Sequence, residues 1–304
     1  MYEWIAKITT DEKRLSQLQR WVSVIPRTVC YPFFCLLGDT VYALAKKERT
    51  RVLRNMRQLL PDQSDQMLSR YGREYFRSVI IALYEILIDS SNLHKSLDWR
   101  FKVEGEEVLQ QVLEQGRGAI LFTPHLGNFF YYYWYLSMKY PCLTVVTAQS
   151  EEIRPFYLLF QRLGCDGLDY DETPPLLMMK KLTSHLKDNG VVFLLGDFYR
   201  PQFPESVFFG KKTRTPGGAA VLSLEQQIPV VPFMGYRDRQ FRHRLIFGEP
   251  IHLYEKFDRK QRMEAINSLN VEMEKMVKDA PGQWFYWFNA DERWEKEETS
   301  SEAC

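Results

Sequence analysis

The sequence predicts one α/β domain built on a mainly parallel central sheet with helices on both faces, and three observations lead there. Continuous apolar runs recur at Gly116–His125, Leu143–Gln149, Gly190–Asp197 and Pro229–Arg237, as in strands buried on both faces. Helix-like stretches separate these runs, and strand alternating with helix favours parallel pairing. No Gly/Ser/Pro-rich linker and no internal repeat divides the 304 residues, a length that suits one large domain.

Taken in order, residues 1–20 read as a short lead, too charged in MYEWIAKITTDEKR for a cleaved secretion signal. Trp21–Ala45 is apolar and aromatic, and the basic KKER follows it. Arg27 and Asp39 interrupt the run, and a charge at the centre of a spanning helix costs about 2.5–3.5 kcal/mol on insertion scales. The segment is therefore expected to lie in a membrane interface, its alternative being a buried pair of core helices. Residues 46–98 read as packing helices: Val52, Met56, Leu59 and Leu60 mark a first, PDQSDQ a turn, and Tyr75, Phe76, Val79, Ile80, Leu83 and Leu87 a second. WRFKVEGEEVL begins the α/β core, 99–295, as a strand followed by a helix, and the tail 296–304 reads as disordered.

Composition limits the partners. Forty basic against thirty-nine acidic side chains give a net charge of +1, with no overall field for nucleic acid. The five cysteines are scattered without CxxC spacing or nearby histidines, so no metal and no cofactor are expected, and a reducing compartment fits.

In parallel α/β sheets ligands collect beyond the carboxyl ends of the strands, where His125, Asp197 and Arg237 close three of the apolar runs. His125 in TPHLGNFF has two readings. It is a structural imidazole, or it is a general base toward a hydroxyl, with Gly127 allowing close approach of a substrate. Asp197 is either paired with an arginine or orders a site. In the aromatic run FFYYYWY, Phe130, Tyr133 and Trp134 line a channel or pack the core. Arg162 and Arg214 are phosphate-binding or surface charges, and Thr215 lies where a helix with free amides begins. The series Arg237, Arg239, Arg242, His243 and Arg244 is a solvated hairpin tip or a patch for anionic lipid or an acidic carrier.

Several passages together resemble the lipid A biosynthesis (lauroyl/myristoyl) acyltransferase family, within the lysophospholipid acyltransferase superfamily. They are RVLRNMRQLLP, GRGAILFTPHLGN, VVFLLGDFYRP, SVFFGKKTRTPGGAAVLSLEQQIPVVPFMGYR and QWFYWF, in the family's order over about residues 20–295. The resemblance implies transfer of a fatty acyl group from an acyl carrier protein or coenzyme A thioester to a hydroxyl or amine of a lipid or glycolipid. With the apolar segment and the scattered cysteines, this places the expected protein at the cytoplasmic face of the inner (cell) membrane, peripheral or shallowly anchored. In that family the histidine begins an H-x4-D/E motif whose acid orients the imidazole. Here the acid position holds Phe130, which leaves three readings open. Asp197 replaces the acid, or His125 works alone, or the scaffold is a silent or repurposed protein that binds acyl chains or serves a specialised biosynthetic pathway. The site expected on the first reading has His125 and Asp197 as catalytic pair, with Gly127, Asn128, Phe130, Arg162, Arg214 and Thr215 toward substrate.

Overall fold

A computed structural model describes residues 25–147 and 154–294. The expected lead and tail, and residues 21–24 of the apolar segment, lie outside the described residues. The numbered helices are α1 (Arg27–Leu44), α2 (Lys46–Leu59), α3 (Asp65–Leu87), α4 (Glu106–Glu114), α5 (Phe129–Lys139), α6 (Arg154–Arg162), α7 (Pro175–Lys187), α8 (Gly218–Gln226) and α9 (Arg262–Asp279). The strands are β1 (Phe101–Glu104), β2 (Ala119–Thr123), β3 (Cys142–Val146), β4 (Gly167–Asp169), β5 (Val191–Leu195), β6 (Glu205–Phe208), β7 (Lys211–Arg214), β8 (Val230–Arg239) and β9 (Arg242–Phe247).

Seven strands form one sheet in the order β1-β9-β8-β2-β5-β3-β4. Pairing is parallel from β8 through β2, β5 and β3 to β4; β9 reverses against β8, and β1 runs parallel to β9. The sheet is thus mainly parallel with one antiparallel junction. β6 and β7 form a separate antiparallel hairpin.

Strand periodicity sorts the apolar runs into two cores. Ile120, Phe122, Val192 and Val230 face one side, where α2, α3, α7, α8 and α9 cover them with Met56, Tyr75, Leu182, Leu222 and Met273. Ala119, Leu121, Val191, Phe193 and Val231 face the other, against Leu109 of α4 and Tyr131, Trp134 and Tyr135 of α5. Both faces are covered, so each central strand reads as unbroken hydrophobic sequence.

Two helix starts have local causes. The Ser64 side chain accepts from the Met67 amide and opens α3, and the Asn128 side chain accepts from the Tyr131 amide and opens α5. The charges inside the apolar N-terminal segment are paired: Arg27 reaches Asp89 at 3.0 Å, and Asp39 takes a bidentate bond from Arg77. Among the described residues no single helix is long and apolar enough to cross a membrane, and α1 and α2 meet at a bend of 91°.

Candidate active site

Strand register brings the two residues together. Thr123 of β2 lies beside Leu195 of β5, so His125 and Asp197, each two positions further on, emerge at the same level of the sheet edge. The His125 Nδ1 stands 2.6 Å from Asp197 Oδ1, and Asp197 Oδ2 accepts from the His125 amide at 2.9 Å and the Trp284 indole at 2.7 Å. Arg293 donates to the Asp197 carbonyl. An ionised carboxylate only accepts, so Nδ1 carries the proton and the lone pair sits on Nε2. Burial alone would raise the Asp197 carboxyl, but the facing His125, together with Arg293 and the Trp284 N–H, holds it below the usual carboxylate range.

His125 is 13% exposed and borders a cavity of about 690 Å³. Its ring is held edge-on between Phe129, with centroids 4.8 Å apart, and Tyr286, at 4.9 Å. The far wall comes from Val79 and Leu83 of α3, Phe156 of α6 and Met178 of α7. Among the described residues, no lysine, arginine, aspartate or glutamate lines this space. An enclosure so apolar, with a single imidazole at its side, suits a hydrocarbon better than an anion.

Phe130 stands in the cavity wall, stacked on Phe129 at 4.7 Å and tilted on Phe160 at 5.0 Å. Tyr133 and Trp134 face away from the cavity into the core. Gly127 also borders the cavity, at φ +55°, and a Cβ there would come within 2.3 Å of the Tyr132 hydroxyl. The turn after His125 therefore requires glycine.

The remaining expected substrate contacts are placed otherwise. Asn128 touches the cavity, but its side chain is spent on capping α5 and on donating to Glu85 Oε2 at 3.0 Å. Arg162 lies exposed at the end of α6 and does not border the cavity. Arg214 donates to the Phe203 carbonyl and the Glu205 carboxylate, which anchors the β6–β7 hairpin. Thr215 is buried, bonded to Ser206 and Asn270. None of these three side chains borders the cavity: Arg162 lies on α6, Arg214 is tied to the hairpin, and Thr215 is bonded to Asn270 of α9. The basic series is not a solvated tip either: β8 and β9 run through it, so Arg237 and His243 point inward while Arg239 stays exposed.

Those inward groups converge on Glu85, which sequence reasoning missed. Arg237 reaches Glu85 Oε2 at 2.5 Å, and His243 Nε2 stands 2.9 Å from Oε1. Burial would raise the Glu85 carboxyl; Arg237 and His243 instead hold it far below its ordinary value. Burial lowers His243, leaving a neutral ring that donates from Nε2 and accepts from the Tyr132 hydroxyl at Nδ1. A signal for this centre did exist, since Glu85 interrupts the apolar run VIIALYEILI. Also missed was the role of Gln283–Tyr286. Gly127 N–H donates to the Gln283 carbonyl and Phe285 N–H to the His125 carbonyl, each at 2.9 Å.

A sequence model of bacterial lipid A biosynthesis acyltransferases matches residues 17–295. The chain is 31% identical over 170 residues to a phosphatidylinositol mannoside acyltransferase of Mycolicibacterium smegmatis, covering 54% of this chain and 51% of that protein. It is 30% identical over 201 residues to a protein of the same name from Mycobacterium tuberculosis, covering 62% and 58%. The chain thus spans only about half to three-fifths of the length of these relatives.

Proposed function

The chain belongs to the bacterial lipid A biosynthesis acyltransferase family, and from that premise we propose that it moves a fatty acyl group from a thioester to a hydroxyl of a lipid or glycolipid. One observation carries the reading: His125 has Nδ1 committed to Asp197, and its ring borders an apolar cavity whose described lining holds no charged side chain.

In the proposed reaction the acceptor hydroxyl gives its proton to Nε2 while its oxygen attacks the thioester carbonyl. The tetrahedral intermediate then collapses, the C–S bond breaks, and the leaving thiolate takes the proton back from the imidazolium. Asp197 fixes the tautomer that leaves Nε2 basic and offsets the transient positive charge. Phe130 is no obstacle in this scheme, since the imidazole already has its carboxylate. The acyl chain occupies the cavity, gaining about 0.8 kcal/mol per buried methylene. Acyl carrier protein or coenzyme A supplies the thioester, and the names of the mycobacterial relatives favour a glycolipid acceptor.

The protein meets its acceptor at the cytoplasmic face of the membrane through α1. Val29, Phe33, Leu36 and Leu44 form a stripe, 56 to 76% exposed, at helical spacing along one face, and basic Lys46 and Lys47 follow it at the start of α2. Such a face suits insertion into the headgroup boundary.

The test is incubation of purified protein with acyl carrier protein and coenzyme A thioesters and membrane lipid, following thioester loss and acylated lipid by mass spectrometry. Transfer by the wild type and its loss in His125→Ala is the expected result. Equal turnover by both proteins would remove His125 from the mechanism. No turnover with any donor would support the silent acyl-binding reading that Phe130 first raised.

A further inference from the structure

Asp197 uses its two oxygens differently. Oδ1 serves the His125 ring at 2.6 Å, while Oδ2 receives the His125 amide at 2.9 Å and the Trp284 indole N–H at 2.7 Å. A carboxylate gripped on one oxygen from two directions cannot rotate about its Cβ–Cγ bond without breaking both bonds. The other oxygen is therefore held where it meets Nδ1.

The segment carrying Trp284 also holds the histidine. Leu126 and Trp284 form an antiparallel bridge. Gly127 N–H donates to the Gln283 carbonyl and Phe285 N–H to the His125 carbonyl, so backbone bonds hold the chain at His125 and two positions beyond it. Gln283 is itself tied by its side chain to both the amide and the carbonyl of Arg237, at 2.7 and 2.9 Å. Trp284 is fully buried, packed against Trp287 with centroids 4.8 Å apart, so its N–H has a fixed direction. One short segment thus grips both members of the pair.

We propose that Trp284 is a positioning residue: its indole N–H locks the Asp197 carboxylate so that the His125 ring is kept in the tautomer with its lone pair toward the cavity. This inference rests on the acyl-transfer reading for its kinetic consequence, but its structural content stands apart from it.

The experiment uses Trp284→Phe, which keeps an aromatic ring in the core and deletes the donor. Imidazole ¹⁵N spectra of the unliganded wild type should show His125 as the Nδ1–H tautomer, and Trp284→Phe should show a mixture. With a thioester donor, kcat should fall roughly tenfold to hundredfold, as for loss of one hydrogen bond to a charged group, with donor KM unchanged. A folded Trp284→Phe protein with an unaltered His125 spectrum and unaltered kcat overturns the proposal. A second measurement keeps the Trp284 core intact: His125→Gln should move the Trp284 indole N–H resonance, because both groups share one carboxylate. A stationary indole resonance also overturns it. An altered spectrum in a protein that consumes no thioester would count against acyl transfer while leaving the positioning role in place.

Discussion

Among the described residues, two histidines are bonded to buried carboxylates, and the proposed reaction uses only one of them. At the sheet edge Asp197 holds one nitrogen of His125, and the ring borders a cavity. In the core Glu85 holds His243 Nε2, but the Tyr132 hydroxyl takes Nδ1, and the ring is sealed from solvent. The separations are similar, 2.6 and 2.9 Å. What differs is the remaining valence, so a short histidine–carboxylate distance does not by itself mark a site. A nitrogen left over beside a cavity is what the proposed reaction requires.

The largest effect should separate the two centres outright. Asp197→Asn is expected to lower turnover by about 10⁴, the size of the comparable loss in serine protease triads. His243→Gln should reduce stability while turnover per folded molecule stays near wild type. Thioester consumption normalised to the folded fraction measures both, and equal kinetic losses would abolish the distinction.

Next in size is Glu85→Gln, which strands Arg237 in the core and should cost about 3–5 kcal/mol in denaturant unfolding. Its acid dependence sharpens the comparison. Glu85 is held below its unfolded value of about 4.3, so its stabilisation is complete above that pH and is lost as pH falls toward the folded value. Asp197 follows the same sign below about 3.9. His243 is held neutral, so its share is complete above about 6.5 and declines as pH falls below that. Glu85→Gln should therefore flatten the loss of stability below about pH 4.3, and an unchanged acid limb would contradict the assignment.

A smaller effect is expected of Phe130→Glu, although it restores the family's motif. Asp197 already occupies Nδ1, so a carboxylate placed among Phe129, Phe156 and Phe160 finds no vacant role. The unpaired polar group should cost about 1–3 kcal/mol on the scale of protein substitutions, without faster turnover. Enhanced turnover would show that Asp197 is an incomplete partner. The smallest effect is Leu36→Glu in α1, which should weaken binding to anionic vesicles by about tenfold and leave both centres unchanged. Cosedimentation with vesicles measures it.

Much of the His125–Asp197 centre was legible because it depends on strands. Unbroken apolar runs mark β2 and β5 as interior, and the polar residues that end them, His125 and Asp197, must then emerge at the sheet edge. The sealed centre was not legible in the same way. Glu85 meets Arg237 and His243 across 152 and 158 positions, and no local periodicity encodes such contacts. Arg162, Arg214 and Thr215 went astray for the same reason. Motif proximity located them near His125, whereas Arg214 is held by Phe203 and Glu205 and Thr215 by Ser206 and Asn270. The reversal at β9 was hidden as well, because Arg237–Arg244 reads as a charged turn until the inward-facing members find Glu85.

The grip of Gln283–Arg293 on the His125 loop and on Asp197 has a consequence for biosynthesis. The imidazole and its carboxylate are both translated before this segment. A ribosome-bound polypeptide that has already released β2 and β5 still lacks the donors that align its carboxylate. Competence is thus gained only once Gln283–Arg293 has followed them and can close on both residues.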